Sequence, residues 1–353
     1  MQKFQEIKEI LQSELEAGKY PVGSRFPSEY ELGYRFEVSR LTANKAVNLL
    51  VAEGWLERGA RGAGTRVKAC QKSFKGQILY VGGLVLSTPN LSLEGLYSQA
   101  YQRGYCVSVA APPDTSLNSY LATAVASGLF AGIVTADYFW FDDQVPGLPV
   151  VYLGNYHSAG NHTALHYVTS DNAEAGRKMV EAVAARGYRC PVIYADYAYQ
   201  LNERVHRVEG MLQAMRDLGF AKPDRRLFVS ADHKELTKTD ALAQLRKIRH
   251  DFPETDVILC ISDHLAIRMF EALQEAKIPS PQKILLTGFG NYQYISGIYH
   301  FPSVEQHLFH TGVAAADMLL DIVEGKARAD EPHLHVVPSE LVNLEYIPRR
   351  ESK

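Results

Sequence analysis

Residues 27–45 read PSEYELGYRFEVSRLTANK, and residues 53–68 read EGWLERGARGAGTRVK. Ser28 with Glu31 three positions on is a capping box. The Ser28 hydroxyl can accept from the N–H of Glu31 while the Glu31 carboxylate reaches back to the N–H of Ser28. A short helix is therefore expected from residue 28 to about 36. Glu37-Val38 form a tight turn, and Ser39 caps a further helix whose inward face is Ala43, Ala46, Val47, Leu50 and Val51. Upstream, Phe4, Ile7, Leu11 and Leu15 recur at helical spacing, and Gly18, Pro21 and Gly23 end that helix in a turn. Downstream, residues 55–58 and 65–68 read as two short strands joined by a hairpin over 59–64.

Helix, helix, turn, helix, hairpin is the order of a winged helix-turn-helix. The start of its third helix offers Ser39, Arg40, Thr42, Asn44 and Lys45. A recognition helix enters the major groove with its N-terminal residues on base edges and phosphates. Arg40 can bond guanine bidentately or clamp a phosphate, and Asn44 can pair with adenine. In the hairpin, Gly62 and Gly64 let the backbone come close to DNA, while Arg61 and Arg66 would neutralise phosphates. Ser28 and Thr65 complete the expected DNA-binding set. Arg25 and Arg35 read equally well as solvated surface.

The charge distribution agrees. The 353 residues carry a net charge of −3, yet residues 1–70 hold 11 Lys and Arg against 9 Asp and Glu. Arg58, Arg61, Arg66 and Lys68 follow one another with no acid after Glu57, so a small unit with a basic edge precedes an acidic body. A hydrophobic content of 46% and a charged content of 22% are ordinary globular values that exclude wholesale disorder, collagen and coiled coil. No run of 18 apolar residues suggests a membrane-spanning helix, and the first 20 residues lack a secretory apolar block, so the chain is expected in the cytoplasm. Cys70, Cys106, Cys190 and Cys260 have no metal spacing and are expected to be reduced, mostly in the core.

Residues 69–76 are short and polar, as suits a linker, which makes 1–68 one domain and 77–353 another. Beyond it, apolar runs at 78–86, 107–111, 132–136, 149–154, 191–195, 257–262 and 284–290 alternate with amphipathic segments around 94–103, 172–186, 203–217, 239–250 and 264–276. Continuous apolar strands between helices imply parallel sheets covered on both faces. The strands are too many for one small sheet, so two α/β lobes are expected, with a cleft at the carboxyl ends of the strands. The fold class is thus α/β: a winged helix-turn-helix followed by a two-lobed α/β domain.

Pro27-Ser28-Glu29, Phe36-Glu37-Val38-Ser39-Arg40, Ala52-Glu53-Gly54-Trp55-Leu56 and Gly62-Ala63-Gly64-Thr65-Arg66-Val67 come in the order and spacing of GntR-type bacterial regulators, which residues 3–68 resemble. Tyr30 and Asn44 stand where relatives often carry other residues, so no operator sequence follows from the resemblance. The second part resembles the effector domain of LacI/GalR repressors, itself similar to periplasmic sugar-binding proteins. The matching pieces are Asp171-Asn172-Ala173-Glu174-Ala175-Gly176, Arg186-Gly187-Tyr188, Arg207-Val208-Glu209-Gly210, Ser262-Asp263-His264-Leu265-Ala266, Gly288-Phe289-Gly290-Asn291, Pro302-Ser303-Val304-Glu305-Gln306 and Pro338-Ser339-Glu340-Leu341. The combination is similar to arabinose-responsive repressors.

That resemblance implies a ligand site. Arg207 matches the family's ligand-clamping arginine, and its planar fork suits vicinal hydroxyls or a carboxylate. Asp263 lies on the matching cleft loop. Asp171 falls at the lobe crossing, where it reads either as a ligand or hinge contact or as a plain helix cap. Gly290 stands where the family usually has a sugar-binding Asp, with Asn291 beside it. Other strand ends add Ser87, Asn90, Asp137, Tyr138, Trp140, Asn155 and His157. The aromatic run at 138–141 reads equally as a sugar platform or as core. His333-Leu334-His335 lacks a third metal ligand, and no GxSxG elbow or phosphate loop is present. The expectation is a regulator without catalytic residues, metal or cofactor. It would bind palindromic double-stranded operator DNA as a homodimer and answer a small effector, a carbohydrate first. A non-sugar metabolite such as a nucleoside or organic acid is the alternative effector, and a solute-binding receptor the alternative role.

Overall fold

The computed structural model describes residues 3–16, 18–60, 64–68, 74–82, 90–111, 116–136, 147–154, 166–197, 199, 204–230, 238–292 and 298–350. The chain divides into two compact units, Met1–Ser73 and Phe74–Lys353.

In the first unit, helices α1 (Lys3–Glu16), α2 (Glu29–Arg35) and α3 (Arg40–Ala52) precede strands β1 (Leu56–Arg58) and β2 (Thr65–Val67). The capping box forms as the sequence predicts, with both the Ser28 hydroxyl and the Glu31 carboxylate engaged. Ser39 caps α3 by accepting from the N–H of Thr42. Glu37 turns the chain between the helices with φ +52°. Ile7, Leu11 and Leu15 pack with Phe26, Leu32, Ala43, Ala46, Val47, Leu50, Leu56 and Val67 into one core. β1 and β2 pair antiparallel, Arg58 opposite Thr65. The segment before α2 adds a third rung to this wing: the N–H of Phe26 donates to Thr65 O, and that of Val67 to Ser24 O.

The second unit holds two parallel sheets. Strands β3 (Gly76–Val81), β4 (Tyr105–Ala110), β5 (Phe130–Ala136), β6 (Val150–Leu153) and β7 (His166–Ser170), with α4 (Leu91–Gln102) and α5 (Leu117–Ala126), begin the first lobe. The chain then crosses to the second lobe. There α6 (Asn172–Ala185), β8 (Pro191–Ala195), α7 (Arg204–Asp217), β9 (Leu227–Val229), α8 (Lys238–Asp251), β10 (Val257–Cys260), α9 (Asp263–Glu275), β11 (Leu285–Thr287) and β12 (Ser303–Glu305) follow. It returns through α10 (Leu308–Val323) and β13 (His333–Val337) and crosses a third time into β14 (Glu340–Val342), which pairs with β12.

The first sheet has the order β13-β7-β6-β5-β3-β4 and the second β11-β10-β8-β9. Their inner strands are buried on both faces. In β3, Ile78 and Tyr80 face the core shared with α4 and α10, while Leu79 and Val81 face Leu121 and Ala124 of α5. The strand expected over 78–86 is observed as Gly76–Val81, and residues 83–89 lie outside the described residues. Cys70 lies outside the described residues; of the other cysteines, Cys260 is buried, Cys190 is half-buried and Cys106 is exposed on the edge strand β4, so the expectation of core cysteines holds only in part. Among the described residues, no helix is long and apolar enough to cross a membrane.

Helices α6 and α7 approach so closely that glycine is required on both. A Cβ on Gly210 would lie 1.9 Å from Ala173 O, and one on Gly176 would lie 2.5 Å from Arg207 O. Alanine is the better helix former by up to about 1 kcal/mol, but a clash with backbone forces the helices apart. Gly210→Ala is expected to lower stability by roughly 1–3 kcal/mol, read as a reduced midpoint in chemical unfolding. An unchanged or raised midpoint would show that the helices yield freely.

Candidate functional site

Two places gather the residues singled out from sequence. In the first unit, Arg40 stands exposed at the first turn of α3. Thr42 spends its hydroxyl on the hydroxyl of Ser39 at 2.9 Å. Lys45 leans over the ring of Phe4 at 5.8 Å, on the α1 side of the helix. Asn44 lies on the wing side, with its Oδ1 3.3 Å from Arg58 Nη2. Arg66 is exposed and donates to Gly23 O, Thr65 is buried, and Gly64 has φ +74°. Arg61 and Gly62 lie outside the described residues. Sequence reasoning passed over Arg58, which also donates to Glu29 and Asn48. Its signal was its place in the basic run. Burial pushes the Glu29 carboxyl up, but the Arg58 hydrogen bond and the positive charges of Arg58 and Arg40 hold it below its ordinary value.

In the second unit, the crossings between lobes are bound into one polar web. At the first crossing, Asp171 precedes α6 but makes no side-chain cap; its Oδ1 accepts from the N–H of Ser339 in the third crossing at 2.7 Å. The Ser170 hydroxyl donates to Gln306 O in the second crossing. Arg207, on the first turn of α7 and only 5% exposed, joins them. Its Nε donates to Asn172 Oδ1 at 2.7 Å, Nη1 to Ile261 O at 2.9 Å and Nη2 to Gln306 Oε1 at 3.1 Å. Phe289 carries the guanidinium on its ring face, 4.1 Å from the centroid. Asn172 and Gln306, the partners of Arg207, stand in the quoted motifs beside Asp171 and Glu305, but only the fold makes them neighbours.

Asp263 and Asn291 meet in a second cluster. Asp263 is fully enclosed and accepts from the Ser303 hydroxyl at 2.7 Å and from the N–H of Tyr292 at 2.9 Å. Burial pushes its carboxyl up, against those hydrogen bonds and the charge of Arg207. Asn291, at φ +47°, donates its amide to Glu305. Both residues support the turn after β11 as placed. Asn90 caps α4 by accepting from the N–H of Leu93 and donates to Tyr80 Oη, away from the Arg207 web. Ser87, Asp137, Tyr138, Trp140, Asn155 and His157 lie outside the described residues. Among the described residues, no group of three His, Cys, Asp or Glu is placed to hold a metal ion.

Comparison with known proteins follows the same division. Residues 3–67 match the gntR family of bacterial regulatory proteins, and residues 180–343 match the periplasmic binding protein-like domain. The chain is 21% identical over 346 residues to an arabinose metabolism transcriptional repressor of Halalkalibacterium halodurans, covering 91% of this chain and 89% of the relative. A repressor of the same name from Geobacillus stearothermophilus is 21% identical over 350 residues, with 92% of each chain covered. Among solved structures, the complex of the transcriptional regulator CelR with cellobiose superposes with a TM-score of 0.66 at 18% identity, covering 87% of this chain and 90% of that one, a likeness of fold. The chain therefore joins a GntR-type winged helix-turn-helix to a periplasmic-binding-protein-like domain. That is the build of a DNA-binding transcription regulator.

The Asp171–Ser339 bond gives a direct test of the web. A hydrogen bond to a charged group contributes about 1.5–3 kcal/mol, so Asp171→Ala should lower unfolding stability by that amount, whereas Asp171→Asn, which keeps the acceptor oxygen, should lose less. Equal stability of wild type and Asp171→Ala would show that the third crossing is held by other means.

Proposed function

We propose that this chain represses genes of carbohydrate use, arabinose first among them, and that a small effector in the cleft between the lobes changes its hold on operator DNA. The observation that carries the reading is the buried Arg207 fork at the lobe crossings, downstream of a winged helix-turn-helix. The names of the full-length relatives support arabinose as the first sugar to test. In this reading Ser39, Arg40, Thr42, Asn44 and Lys45 meet the major groove, and Ser28, Arg61, Gly62, Gly64 and Arg66 meet the backbone, while Thr65, expected among them, is buried and supports the wing from within. The chain acts as a homodimer in the cytoplasm, since one recognition helix reads a half-site and a two-fold protein matches a palindromic operator. In this reading it is a regulator rather than an enzyme, in keeping with the names of its full-length relatives.

Selection from randomised duplexes should recover a palindrome. Affinity for it should fall steeply with salt, because each phosphate contact releases counterion. Arg40→Ala should cost on the order of 1–3 kcal/mol if that side chain reads a base. A chain with no sequence preference, with or without sugars, would sink the assignment.

Effector and operator must be linked. Arabinose at 100 times its dissociation constant should raise stability by about 2.7 kcal/mol, and operator DNA should weaken arabinose binding by the factor by which arabinose weakens operator binding, typically about 5–150-fold. Calorimetry with and without operator measures this. Arg207→Lys keeps the charge but loses the planar fork, so it should lose the response while retaining operator binding. Identical sugar affinities with and without DNA would rule out induction by that sugar.

A further inference from the structure

Arg58 at the end of β1 touches four side chains. Its Nη1 lies 2.5 Å from Glu29 Oε1 and 3.5 Å from Thr65 Oγ1; its Nη2 lies 2.7 Å from Asn48 Oδ1 and 3.3 Å from Asn44 Oδ1. Glu29 belongs to α2, Asn44 and Asn48 to α3, and Thr65 is the partner of Arg58 across the wing. One guanidinium thus ties wing and recognition helix together. Its charge is already met by Glu29, so it is poorly suited to clamp a phosphate.

The chemistry fixes how the two carboxamides stand. A guanidinium has only donors, so the atom that Asn44 and Asn48 each turn toward Arg58 is the oxygen. That oxygen keeps a second lone pair, but it is turned toward the wing; the group that Asn44 turns away from Arg58 is its NH2, a donor. Asparagine reads adenine by using both ends of the amide, the oxygen accepting from N6 and the nitrogen donating to N7. With its oxygen turned to the wing, Asn44 matches an edge that offers acceptors side by side, and in the major groove that is guanine, with N7 and O6.

We propose that Arg58 is a positioning residue that sets base preference through Asn44, so that Asn44 selects guanine rather than the adenine its side chain would suggest. The proposal rests on the DNA-binding reading above and revises the adenine expectation for Asn44. Arg58 touches no base in this scheme; it acts by holding an amide in one of its two orientations.

The test is selection from randomised duplexes with the full chain as wild type, Asn44→Ala, Arg58→Met and Arg58→Lys, with thermal midpoints measured alongside. Asn44→Ala identifies the position that Asn44 reads, as the one where preference is lost in each half-site. In the wild type that position should be guanine, favoured at least about fivefold, the lower end of what a specific base contact gives. Arg58→Met, which has no donor, frees the amide, and adenine should rise there severalfold at guanine's expense. Arg58→Lys still donates to the oxygens and should keep guanine. Loss of stability alone would weaken binding at all positions together and would not exchange one base for another. Adenine or thymine at the Asn44 position in the wild type overturns the proposal, as does an Asn44→Ala selection identical to wild type or an unchanged guanine preference in a folded Arg58→Met. Where Arg58→Met does not fold, wild type against Asn44→Ala decides. A wild type that selects no sequence overturns the DNA-binding reading itself, and this proposal with it.

Discussion

The burial of the Arg207 guanidinium is the constraint around which the second unit is arranged. A charged group at 5% exposure is tolerable only when its N–H groups are matched, because a buried donor without a partner costs about 1–3 kcal/mol and more when charged. The matches come from parts of the chain far apart in sequence: Asn172 at the first crossing, Ile261 after β10, Gln306 at the second crossing. α7 can bring Arg207 to them only by lying against α6 at glycine distance, which is what Gly176 and Gly210 permit. Asp171 then extends the web to the third crossing through Ser339. Helix packing, strand ends and lobe crossings are in this sense one problem with one solution.

The first unit shows how much is legible when structure is locally determined. Ser28, Glu31 and Ser39 specify helix starts through bonds within three residues, and the spacing of Ile7, Leu11 and Leu15 specifies a face. Every element there was expected within a residue or two. The Arg58 network was not, because it joins residues 7 to 29 positions apart whose proximity depends on the completed fold. A basic residue in a basic run gives no sign that its charge is spent internally.

In the second unit, β8 and β10 were legible because parallel strands buried on both faces read as unbroken apolar runs. β7 and β13 were not. β7 carries His166, Thr169 and Ser170 in buried positions, and β13 is an edge strand that leaves Leu334 and Val336 exposed. Their pairing, His333 beside His166, links residues more than 160 positions apart. α10 escaped for the opposite reason. Its run of small and apolar residues buries Thr311, Gly312, Ala315, Ala316, Leu319 and Leu320, against both α4 and the sheet, so the polar face that marks a surface helix is weak. Among the residues expected around a ligand, the structure places two differently. Arg207 bonds residues at the first and second crossings, whereas Asn90 is engaged as a helix cap.

The same web explains why a ligand on Arg207 would act beyond its own contacts. An effector shifts a conformational equilibrium only by its difference in affinity for the two states. A hydroxyl or carboxylate that accepts from the Arg207 fork competes with Asn172 and Gln306 for the same donors, and these two residues belong to different crossings. Exchanging either partner alters the bond that ties that crossing to the second lobe, while Phe289 keeps the guanidinium on its ring. On the proposed function, the group that would recognise the effector also bonds residues at two lobe crossings, so recognition there would compete with those bonds.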